Sequence, residues 1–123
     1  MLNFDRRSRK RSWLACAGGL LAAAAIGLSA YASHGVSEPL AQSHLQTAAL
    51  YAFGHGLALA ALARSSERLL ARAGLALLLL GTLLFAGSLA GNALVQWPTR
   101  LAPVGGTTLM LGWVLYALDA LRR

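Results

Sequence analysis

Thr47, Tyr51 and His55 stand four residues apart in the stretch "TAALYAFGH", so a helix presents all three on one face. A hydroxyl, a phenol and an imidazole in that order can relay a proton, hold a polar ligand, or tie a helix to its neighbour by hydrogen bonds. Elsewhere the chemistry-bearing residues are sparse. His34 follows Ser33, Ser88 and Asn92 lie one helical turn apart, and Cys16 is the single cysteine. Haem ligation by His34 and His55 fits poorly, because on antiparallel helices their depths differ by roughly 15 Å at 1.5 Å per residue. Zinc needs three or four ligands, and Cys16 lies at the other end of its helix from His34. Nucleophilic catalysis lacks a carboxylate to orient a base. No cofactor or metal is therefore expected.

The elements that must position these residues follow from charge spacing. Between Arg11 and Glu38 there are 26 residues without Asp, Glu, Lys or Arg; the later runs, Glu38 to Arg64, Arg72 to Arg100 and Arg100 to Asp119, enclose 25, 27 and 18. About 20 mostly apolar residues are needed to cross a bilayer core of about 30 Å. The chain thus reads as an all-α, integral membrane four-helix bundle, with helices at about 13–33, 44–63, 72–94 and 103–121 after a basic segment at 1–12. A soluble bundle would need polar outer faces, whereas "AGLALLLLGTLLFAGSLAGNALV" is apolar all round. Scarce Val, Ile and Thr argue against strands.

The net charge is +7, and its placement decides what it means. Ten of the eleven basic residues precede the first span, join the second to the third, or follow the fourth; only Arg100 falls elsewhere. The Lys/Arg excess marks the cytoplasmic side, which places both termini in the cytoplasm and the basic face against anionic headgroups. Nucleic acid is not expected as a partner, since aromatic interleaving is missing. "RRSRKR" followed by an apolar run and Ala30-Tyr31-Ala32 also resembles a signal peptide. The run is nearer a membrane span than a signal core of 7–15 residues, so an uncleaved first helix is expected.

Small residues pattern the spans. Gly74, Gly81 and Ser88 recur every seven residues, and Gly87 and Gly91 form a GxxxG. Both are expected to let helices approach closely, within the chain rather than between copies. Ser37 or Ser43 is the expected cap of the second helix, and Pro103 suits the first turn of the fourth. Gly105 and Gly106 follow it, where a helix N-terminus offers free N–H groups. Trp13 and Trp97 fall near opposite interfaces, Trp113 midway along a span, and Cys16 reads as an apolar filler.

Four separated blocks, "AYASHG", "TAALYAFGHGLAL", "GTLLFAGSL" and "APVGGTTLMLGW", together resemble the YgdD-like, domain of unknown function 423 family of small multi-pass inner-membrane proteins. His34 and Gly35 match the first block of that pattern, with Tyr31, Ala32 and Ser33 in place of Phe, Gly and Ala. Thr47, Tyr51 and His55 match the second, where Leu50 and Ala52 replace polar Glu and Gln. Phe85, Gly87, Ser88 and Leu89 match the third; Pro103, Gly105, Gly106, Gly112 and Trp113 match the fourth. The resemblance implies an integral membrane protein of the bacterial inner membrane without an established activity.

On antiparallel helices all four blocks converge on the outer half of the bundle. His34, Thr47, Tyr51, His55, Ser88 and Asn92 form the candidate polar cluster, with His55 roughly mid-membrane. Intramembrane polar residues mark sites by default, yet a neutral histidine can equally close a hydrogen-bonded knot between helices. The expected function is structural or accessory and non-enzymatic, with a membrane-protein partner or homo-oligomer. The alternative is a small-solute or proton pathway through the outer pocket around His55. Below His55 the second span offers only apolar residues, which counts against it.

Overall fold

The computed structural model describes residues 11–122. Four helices make it up: α1 (Trp13–Gly35), α2 (Pro39–Leu62, prolonged by a 3₁₀ turn at Ala63–Ser65), α3 (Leu69–Val95) and α4 (Leu101–Ala120). All four are long and apolar enough to cross a membrane. Residues 1–10, most of the expected basic segment at 1–12, lie outside the described residues, as does Arg123.

Local chemistry sets the helix ends. Ser12 caps α1, accepting from the Ala15 N–H at 3.1 Å. Neither Ser37 nor Ser43 caps α2, which starts five residues earlier than expected. There the Glu38 carboxylate accepts from the Leu40 and Ala41 N–H groups at 3.1 and 2.7 Å, with Pro39 opening the helix. These bonds, with His44 nearby, hold the Glu38 carboxyl below the usual carboxylate range. At the far end of α3 the chain turns on Gln96, a non-glycine residue with a left-handed φ of 58°. Pro103 lies in the first turn of α4, where no backbone N–H is needed.

Successive helices run antiparallel, and the main interfaces are α1 with α2, α2 with α3, and α3 with α4. Close approach happens at glycine pairs. Gly18 meets Gly56 between α1 and α2, while Gly74 meets Gly112 and Gly81 meets Gly105 between α3 and α4. A Cβ on Gly81 would sit 2.9 Å from the Gly105 carbonyl oxygen, so that crossing requires glycine. Gly87 corrects the expectation of a GxxxG seam: it is exposed, and a Cβ there would meet nothing within 4 Å. Gly91 instead seats the Trp97 ring from the following loop.

The core divides along the bundle. At the distal end, which carries the α1–α2 and α3–α4 connections, it is built of small side chains such as Ala25, Ala48, Ala52 and Ala86. Toward the end carrying the α2–α3 connection it is built of Leu59, Leu75, Leu78 and Leu109. The outside is apolar too: Leu20, Ile26, Leu50 and Met110 are 63–70% exposed. Contiguous apolar surface on this scale fits a lipid solvent. Cys16 is exposed on that surface rather than filling the core.

Candidate functional site

The structure divides five of the six candidate polar residues among three places and leaves Thr47 in none of them. His55 lies where α2 and α4 meet over α3. Its Nδ1 is 2.9 Å from the Tyr51 carbonyl oxygen, and the Trp113 indole N–H reaches its Nε2 at 3.0 Å. A carbonyl only accepts and an indole N–H only donates, so both bonds require the neutral tautomer with hydrogen on Nδ1. In it the ring is saturated. Tyr51 stacks on His55 with centroids 5.9 Å apart, and Phe85 of α3 lies 4.6 Å beyond Tyr51. Trp113 and Tyr116 continue the row along α4. Tyr51 and Trp113 are each 39% exposed, so the row sits on an open flank rather than in an enclosed interior. The geometric reason is that α2 and α4 both pack on α3 and meet only at its edge.

Asn92 does not join His55. Its partner is His44, whose Nδ1 lies 2.9 Å from the Asn92 Oδ1, while the Asn92 amide donates to the Trp97 carbonyl at 2.7 Å. An amide oxygen only accepts, so His44 supplies the hydrogen to Oδ1. This knot ties the start of α2 to the end of α3. Antiparallel packing explains the pairing, for the register that sets Phe85 beside Tyr51 places Asn92 two turns further out, opposite His44. Ser88 is buried and donates to the Pro98 carbonyl at 3.4 Å. Thr47, half-buried, takes part in neither knot.

His34 lies apart, exposed on the rim of a groove of about 530 Å³ between α1 and α2. The polar part of that groove is a network that sequence reasoning missed. The Ser29 hydroxyl donates to Gln46 Oε1 at 2.9 Å, and Gln46 Nε2 donates to the Ser33 hydroxyl at 2.9 Å. One turn away, Gln42 Nε2 donates to the Ala32 carbonyl at 2.8 Å. A signal was present in the sequence: Ser29/Ser33 and Gln42/Gln46 are both spaced one turn apart. Gly105 packs on the Phe85 backbone and belongs to the helix crossing; a Cβ on Gly106 would meet only the Phe85 ring, at 3.8 Å. Among the described residues no group of three or more His, Cys, Asp and Glu is placed to hold a metal.

Four apolar helices tied by polar knots define an all-helical, multi-pass type of membrane protein. The chain matches the family described as "Protein of unknown function (DUF423)" over residues 28–106, and it belongs to that family. It is 36% identical to a "UPF0382 membrane protein" of Haemophilus influenzae over 108 residues, covering 79% of this chain and 84% of the relative. A "UPF0382 membrane protein" of Staphylococcus epidermidis is 30% identical over 112 residues, covering 85% and 92%. No solved structure matches.

Proposed function

We propose that this protein is a non-catalytic accessory protein of the bacterial inner membrane, with both termini in the cytoplasm. One observation carries this reading: His55, Asn92 and Gln46, polar residues of the spans, find their partners inside the protein. His55 has both ring nitrogens engaged, Asn92 both ends of its amide, and Gln46 both its oxygen and its nitrogen. A conducting path needs groups that exchange partners with water or solute. Here those groups are engaged within the protein, between helices or with nearby backbone, and α2 continues past His55 as "GLALAAL". Orientation is argued from the basic residues, ten against one; such a face suits anionic headgroups. The partner is then another membrane protein or a second copy of this chain.

Affinity purification from native membranes in mild detergent tests the reading, together with flux assays on the purified chain in liposomes. A stoichiometric partner and no flux above empty vesicles are expected. Proton or solute flux that Trp113→Phe alters without loss of folding would establish the pathway instead.

A further inference from the structure

At the end of the bundle opposite the His44–Asn92 knot, a cavity of about 370 Å³ opens between the α2–α3 connection and the last turn of α4. Ser65, Ser66, Glu67, Arg68, Tyr116 and Asp119 line it, so two carboxylates and one guanidinium share the cavity. The Asp119 Oδ1 is buried and has no hydrogen-bond partner. Leaving a carboxylate oxygen in that state is costly; the half-buried side chain also lines the cavity, where an incoming donor can bond the rest of the carboxylate.

The two serines sharpen what kind. Both hydroxyls donate to the Leu62 carbonyl, at 3.2 Å from Ser65 and 2.8 Å from Ser66. Their donors are spent and their lone pairs remain. Asp119, Ser65 and Ser66 therefore offer acceptors to one cavity, which suits a primary ammonium with its three N–H donors. The exposed Arg68 guanidinium lines the same cavity and supplies the opposite requirement. It stands at the N-terminus of α3, where no side chain caps the first turn, so guanidinium and helix dipole both favour an anion. Leu69 and Leu121, next in the chain to the lining residues Arg68 and Ala120, are 84% and 83% exposed, where the apolar helices end.

We propose that this cavity binds a phosphate ester bearing a primary ammonium group, supplied by the bilayer as a phosphatidylethanolamine headgroup. Asp119 and the serine oxygens hold the ammonium, Arg68 the phosphate, and Leu69 and Leu121 meet the acyl chains. The assignment does not depend on the accessory reading or on which leaflet the site faces.

Native mass spectrometry of the full chain, released from detergent after exchange with phosphatidylethanolamine, phosphatidylcholine or phosphatidylglycerol, tests it. Phosphatidylethanolamine adducts should exceed phosphatidylcholine adducts about tenfold, because a trimethylammonium cannot donate to Asp119. The near-isosteric Asp119→Asn should remove that preference, and Arg68→Gln should weaken retention of both lipids. Both variants should melt close to the parent. Equal retention of the two lipids, or an unchanged preference in Asp119→Asn, would overturn the proposal. So would soluble O-phosphoethanolamine displacing the lipid at equal concentration, which would make the ligand a soluble metabolite.

Discussion

The Trp113 indole N–H meets His55 Nε2 at 3.0 Å, joining α4 to α2 across the edge of α3 that separates them. Without this bond, both side chains would present unsatisfied polar nitrogen to hydrocarbon. With it, and with Nδ1 on the Tyr51 carbonyl, the mid-span histidine is a cross-link. Polar groups within a bilayer need internal partners, and register between helices is what such partners specify.

The second knot should behave as an independent unit. His44→Ala and Asn92→Ala are each expected to lower thermal stability in detergent. Their double mutant should lose less than the sum, with coupling of about 0.6 kcal/mol as the average for transmembrane hydrogen bonds. His55→Ala with Asn92→Ala should instead be additive. Coupling in that second cycle would place Asn92 in the wrong cluster.

The glycines of α3 should differ sharply. Gly81→Ala puts a methyl against the Gly105 carbonyl and the Leu109 backbone, an overpacking expected to cost about 1–3 kcal/mol. Gly87→Ala adds a methyl in open space and should leave the melting temperature unchanged or raised. Equal melting of the two variants would show that the α3–α4 crossing is looser than described.

Much of this was legible in the sequence, for stated reasons. Charge-free runs located four helices, because bilayer thickness fixes their length. Gly74 and Gly81 announced a close-packed face on α3, because their spacing of seven keeps one face; that α4 fills it was not legible. The partner choices were not legible. Asn92 could reach His55 or His44 by helix depth alone, and only the α2–α3 register decides between them. The Gln42 and Gln46 network was overlooked because neither residue is ionisable. Gly87 and Gly91 share a motif but not a neighbour, which periodicity cannot tell.

Acid should loosen the start of α2. The Glu38 carboxyl is held below its usual range by the Ala41 and Leu40 N–H bonds, with His44 adding a smaller pull. A depressed carboxyl stabilises the fold above its unfolded value and loses that contribution as pH falls through the folded value. Stability of the α2 start should therefore be constant near neutrality and drop below about pH 4. Glu38→Gln should flatten that acid limb. Amide exchange at Leu40 and Ala41 reads it directly, and an unaltered limb in the variant would assign it to another group.

Polar residues within the spans lock the helices together. A double-mutant cycle of His55→Phe and Trp113→Phe, measured by reversible unfolding in bicelles, tests it most directly. Both substitutions keep an aromatic ring and delete the hydrogen bond, so the cycle isolates that bond. Each single change should destabilise the bundle, and the pair should couple by about 0.6–1.7 kcal/mol. Strict additivity, or a bundle that either single change leaves as stable as before, would contradict it.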